Sequence, residues 1–228
     1  MIAVYLIASI VGTIVIFLGM AKLYKRYTYP LLVPIATTTF ILIVVLLLFS
    51  IPYDTYMIGG RWIDELLGPA VVALAFPLYQ NREALKKYFL PIFTGVLVGS
   101  TTGVVTGIYF SRILLVEKEI ILSLAPKSVT SPVAMDIAQI VGGVPSLSAV
   151  YVMIAGITGA MFGPYLLKVA KVNHYIGVGL GFGAASHGIG TAKALELGSN
   201  EGAISSVAMV LSAIYTAAIL PPMLHMLL

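Results

Sequence analysis

Hydrophobic positions run along this chain in long blocks separated by short polar stretches. Apolar runs occupy residues 2–21, 30–51, 66–79, 89–116, 146–167, 175–192 and 203–228. Most reach the roughly 20 residues that a helix needs to cross a hydrocarbon core. The pattern predicts an all-α polytopic membrane protein with about seven to eight transmembrane segments, all of 1–228 forming one transmembrane domain.

Composition agrees. With 60% hydrophobic and 10% charged residues and a mean hydropathy of +1.04, the chain has more apolar surface than one soluble core would hide. The net charge of +4 is spread over short loops, so it bears on topology and argues against nucleic acid as a partner. The absence of cysteine excludes disulfides, thiol catalysis and Cys-ligated zinc. His174, His187 and His225 lie far apart and make no metal-ligand spacing, so neither metal nor cofactor is expected. Residues 1–20 have no basic residue ahead of their apolar run and read as a retained first helix rather than a signal peptide.

Basic residues mark the loops. Lys22, Lys25 and Arg26 place 22–29 in the cytoplasm, Asp54 lies in an outer loop at 51–60, and Arg82, Lys86 and Lys87 return 80–88 to the cytoplasm. Arg61, Trp62, Asp64 and Glu65 read as an anchor at the membrane interface. If 117–142 spans the bilayer, the loop with Lys168, Lys171 and His174 falls outside; if it is a re-entrant hairpin, that loop is cytoplasmic, and the rule favours the hairpin.

Residues 122–136 carry a lysine, an aspartate, several hydroxyls and two prolines within an apolar chain. A charged side chain at the bilayer centre costs roughly 2.5–3.5 kcal/mol on insertion scales, so Lys127 and Asp136 require a stabilising context or a task. Pro126 and Pro132 each remove an amide donor and disfavour helix just before them, predicting two half-helices at 117–125 and 132–141. Broken backbone at that depth belongs beside a protein-enclosed or wet cavity. One kinked spanning helix is the alternative. Pro69 and Pro77 interrupt 66–79 in the same way. The hairpin leaves helical trios near 30–116 and 146–228 entering from opposite sides, an inverted repeat of the kind secondary transporters use.

Lys127 with Ser128, Thr130 and Ser131 forms a plausible cradle for a carboxylate, helped by the N-terminus of the helix that follows. Asp136 and Gln139 share a face at i,i+3; Asp136 is a candidate for binding a cation, accepting a proton or neutralising Lys127. A second polar group spans 183–196. There Ser186, His187, Gly188 and Thr191 are candidates for substrate contact, His187 for carrying a coupling proton, and the glycines for a second break. A histidine held only by an interhelical hydrogen bond is the competing reading. Lys193 and Glu196 are expected to pair at i,i+3. Gly95, Gly99 and Gly103, and Gly159 with Gly163, read as faces for close helix packing.

The runs Gly68–Tyr79, Leu122–Pro132 and Ser186–Ala194 closely resemble signatures of the LrgB/CidB family, and the resemblance covers nearly the whole chain. Ser131 stands where a second threonine is common, and Gly188 where alanine is. The resemblance implies a bacterial antiholin-like protein regulating murein hydrolase activity, or, through a related plant chloroplast protein and some bacterial relatives, a translocator of glycolate, glycerate or pyruvate. It also implies a small LrgA/CidA-like membrane subunit as partner.

Three classes of function follow. The favoured one is a carrier of small two- or three-carbon monocarboxylates by alternating access, coupled to protons or cations, in the cytoplasmic membrane. The second is an antiholin-like regulator without a substrate of its own. An intramembrane enzyme ranks last, because no Gly-x-Ser-x-Gly or His-Glu-x-x-His motif is present. A homodimer is expected, since so small a chain offers little scaffold for a moving part.

Overall fold

A computed structural model describes residues 2–27, 29, 32–66, 69, 72 and 75–227, leaving aside the side chains of 2–4, 75, 77, 78, 84 and 225. It is all-helical, with two compact units at 1–72 and 73–228.

The first unit holds α1 (Ile2–Tyr27), α2 (Pro34–Leu48) and α3 (Tyr53–Asp64). Proline begins two of them: Pro34 stands in the first turn of α2 and Pro52 precedes α3, positions where its missing amide costs no helical bond. Gly59 brings α3 against the backbone of Leu6, where a methyl group would not fit, and the hydroxyls of Thr13 and Tyr56 meet at 3.0 Å. Trp62 is exposed, as an anchor would be, and Arg61 pairs loosely with Glu65 at 3.8 Å.

The second unit holds α4 (Ala75–Gln80), α5 (Arg82–Lys87), α6 (Phe89–Ile113), α7 (Lys118–Leu124), α8 (Ser131–Val141), α9 (Pro145–Val169), α10 (Tyr175–Leu197) and α11 (Ser199–Leu227). Pro77 falls in the first turn of α4 and does not break it; the break expected at Pro69 adjoins 67, 68, 70 and 71, which lie outside the described residues. Among the described residues four helices are long and apolar enough to cross a membrane, at 5–27, 89–113, 145–169 and 199–224, while α2 and α8 are apolar but shorter. The expectation of seven to eight crossings is therefore met only in its coarser form, a multi-helix apolar protein.

One apolar run, 175–192, is not a single straight helix. In α10, His187 has φ 42° and ψ −134°, far from helical values, and the chain turns back on itself there. A methyl on Gly190 would lie 2.7 Å from the carbonyl oxygen of Phe182, eight residues away. Val178 and Ala194 share one apolar cluster with Phe182. A straight helix would hold them about 24 Å apart. Thus 175–186 descends and 188–197 returns, both beside α11: Gly179 meets Ile204, and Leu195 meets Gly202.

The segment 118–141 also doubles back. After α7, the tight turns Lys127 N–H to Leu124 O and Val129 N–H to Pro126 O carry the chain to Thr130, and α8 then returns until Gly142, at φ 86°, ends it. The amide of Val144 donates to Ser123 Oγ at 2.8 Å, setting the far end of α8 beside the last turn of α7.

Ring and polar contacts orient the helices. Tyr88 and Tyr175 meet edge to face at 6.2 Å, so the basic loops at 80–88 and 168–174 share one end of this unit. At the other end Arg112 Nη1 donates to the carbonyl oxygen of Leu227 at 2.8 Å. The repetition visible here is a 25-residue helix followed by a folded-back pair, at 89–141 and again at 145–197, with α6 and α9 running in opposite directions. This differs from the expected trios: 30–116 straddles the two units, and the second element of each repeat is a broken helix.

Candidate functional site

The two folded-back segments enter from opposite ends and bring their tips to the middle of α6. Down one face of α6, Gly95 meets Leu180 and Gly99 meets Ala184, both from the descending arm of α10; Gly103 then meets Ser128 and Gly107 meets Lys127, from the turn after α7. Between the tips lies a half-open groove of about 180 Å³, lined by Gly95, Gly99, Gly103, Ser128, Leu180 and Ala184 among others, with Gly99, Gly181 and Ala185 exposed along its open side.

Lys127 sits at one tip. Its Nζ donates to the carbonyl oxygen of Gly103 at 2.9 Å, and a methyl on Gly107 would stand 3.1 Å from that nitrogen. Among the described residues no carboxylate lies within ion-pair distance of it. An ammonium has three donors, and this bond uses one. Ser128 faces the cavity, and Thr130 is the N-cap of α8 without capping it: its Oγ1 is buried with no hydrogen-bond partner among the described residues. Ser131 opens α8 with Pro132 next to it in the first turn. The proline break and the hydroxyl cluster thus fall where the sequence places them.

Asp136 and Gln139 do share a face, but that face is exposed. The neutralisation of Lys127 by Asp136 is not found, because the α8 face that packs inward carries Ala134, Ile137 and Ala138 instead. Neither residue joins the cavity.

His187 sits at the opposing tip and is buried. Its Nε2 lies 2.9 Å from the carbonyl oxygen of Val152 in α9, and since a carbonyl only accepts, that nitrogen carries a proton. The competing reading of an interhelical bond is thus met in part. Holding a non-glycine residue at positive φ costs on the order of 1–3 kcal/mol, which the surrounding contacts offset. Thr191 does face His187, though through the backbone: its Oγ1 donates to the His187 carbonyl at 2.8 Å and contacts Ser205 Oγ at 2.9 Å. Ser186 is packed directly on Gly159, and Gly188 is exposed. Lys193 and Glu196 pair at 2.8 Å as expected.

Gly159 and Gly163 do serve close packing, against Ser186 and Phe182. Gly156, not singled out from the sequence, does the same for the His187 ring, where a methyl would lie 2.7 Å away. Gly107 was also missed. Both were legible: Gly107 continues the four-residue spacing of Gly95, Gly99 and Gly103, and Gly156 precedes Gly159 by one turn. Among the described residues no cluster of His, Asp or Glu is placed to hold a metal.

Residues 13–226 match the family model described as the LrgB-like family. Protein YxaC of Bacillus subtilis is 46% identical over 208 residues, covering 91% of this chain and 90% of its own length. The holin-like protein CidB of Staphylococcus epidermidis is 37% identical over 215 residues, 94% of each chain. That of Staphylococcus aureus is 35% identical over 209 residues, 92% of this chain and 91% of its own. No solved structure matches the chain significantly.

Proposed function

The chain belongs to the LrgB-like family, and from that premise we propose that it is a multi-pass protein of the cytoplasmic membrane that carries small monocarboxylates of the glycolate, glycerate or pyruvate type. The observation that carries this reading is Lys127, a cation without a carboxylate partner among the described residues, held at a broken-helix tip beside a cavity. Two broken segments entering from opposite ends and meeting mid-helix is the arrangement that alternating-access carriers build around a central substrate. Lys127 and Ser128 hold the carboxylate, with Thr130 and Ser131 at the start of α8 adding a hydroxyl and the helix N-terminus. From the other tip His187, with Ser186, Gly188 and Thr191 shaping its turn, carries a coupling proton. Asp136 keeps the coupling role only if its exposed face borders a wet path. The chain catalyses no covalent chemistry.

A second reading has more direct support from the staphylococcal relatives, which are named holin-like proteins. In it the chain is an antiholin-like regulator of murein hydrolase activity and autolysis that works with an LrgA/CidA-like membrane subunit. The exposed α8 face with Asp136, Gln139 and Ile140 offers a surface for that subunit or for a second copy.

Purified protein in proteoliposomes separates the two. A carrier takes up labelled glycolate or pyruvate saturably and retains a trapped dye, and Lys127→Ala loses the uptake. A holin-like regulator moves neither acid alone, and changes dye release only when an LrgA/CidA-like subunit is reconstituted with it.

A further inference from the structure

The glycines on α6 and α9 look alike in sequence but do different things in space. On α9, a methyl added to Gly156, Gly159 or Gly163 would run into His187, Ser186 or Phe182, so these glycines serve contact. On α6 the result is divided: a methyl on Gly95 would lie 2.8 Å from Leu180 Cδ1, but the next two glycines are open. A methyl on Gly99 would meet Ala184 Cβ at 3.7 Å and one on Gly103 would meet Ser128 Oγ at 3.6 Å, both ordinary van der Waals distances. Helix packing therefore does not demand glycine at these two positions. What their missing side chains leave is the cavity.

That cavity is small. Its volume of about 180 Å³, open on the side of Gly99 and Ala185, falls below the roughly 300–1,000 Å³ of pockets for drug-sized ligands. Its walls near Gly99 are apolar, Ala184 and Leu180, while Ser128 stands at the Lys127 end. A bound carboxylate held at Lys127 would direct its carbon chain along the glycine face.

We propose that Gly99 and Gly103, with Ala184 opposite, set the length of acid the site accepts. The inference rests on the carrier reading above and deepens it: the methyl-free wall of α6 admits the third carbon, and any side chain there confines the site to two carbons. Discrimination by one carbon in an apolar pocket amounts to roughly 10–200-fold.

The test is uptake into proteoliposomes of labelled glycolate, pyruvate and the four-carbon 2-oxobutyrate by wild type, Gly99→Ala, Gly103→Ala and Ala184→Gly, with thermal unfolding in detergent measured for each. Either glycine variant is expected to lower pyruvate relative to glycolate uptake by roughly tenfold or more, and Ala184→Gly to raise 2-oxobutyrate relative to pyruvate. Should Gly99→Ala fail to fold, Ala184→Gly decides, because it enlarges the same space from the other wall. Unchanged ratios in every folded variant, with wild type transporting, would overturn the size filter and leave the carrier reading intact. No uptake of any acid by wild type would remove both.

Discussion

His187 donates from Nε2 to the carbonyl oxygen of Val152 across 2.9 Å, tying the tip of one broken segment to the long helix α9 of the same repeat. Lys127 does the same at the other tip, through Gly103 of α6. Each tip thus presents a polar side chain anchored on a spanning helix's backbone, next to a glycine that makes room for it.

For His187, replacement by alanine removes the bond and leaves a hole in a buried, strained turn. Unfolding in detergent should show a loss of roughly 1–3 kcal/mol. His187→Gln keeps a donor and should fold more nearly like wild type. If the ring carries the coupling proton, this variant keeps counterflow exchange but flattens the dependence of net uptake on pH, because an amide does not titrate. A wild-type pH profile would return the residue to a purely structural role.

Lys127→Ala should cut uptake by about 10- to 150-fold, the range of a hydrogen bond to a charged group worth roughly 1.5–3 kcal/mol. Lys127→Arg should also fail, since Gly107 and Gly103 leave space for an ammonium and not for the wider planar guanidinium. Initial rates in proteoliposomes, with unfolding as a control, check both.

Gly159→Ala should abolish folded protein or cost several kcal/mol, because the new methyl would overlap Ser186, whose own helix is wedged against α11. Gly12→Ala and Gly19→Ala meet nothing within 4 Å and should instead gain roughly 0.5–1 kcal/mol. Yield and melting temperature in detergent separate the groups.

Single cysteines at Lys86 and Asn173 should behave alike, because Tyr88 and Tyr175 hold their two loops together. In right-side-out cells both should resist an impermeant thiol reagent, and Glu117→Cys, at the opposite end, should react. Labelling at 173 but not at 86 would contradict the folded-back path of 118–141.

Local chemistry carried much of the fold. Runs of apolar residues near 20 long, Pro126 and Pro132 in the middle of one, and Gly188 and Gly190 beside His187 each act on their own stretch of backbone, so helices and breaks were legible in the chain alone. That Lys127, Ser128 and Thr130 fall together at such a break was legible for the same reason. Direction was not. Whether 175–192 crosses or turns back hangs on a single φ at His187, and that angle is held by Val152, Gly156 and Ser205, which come from other helices. The exposure of Asp136 and the different surroundings of the glycines of α6 and α9 were likewise settled by which faces came to lie together, since spacing says which residues share a face and only packing says what that face meets.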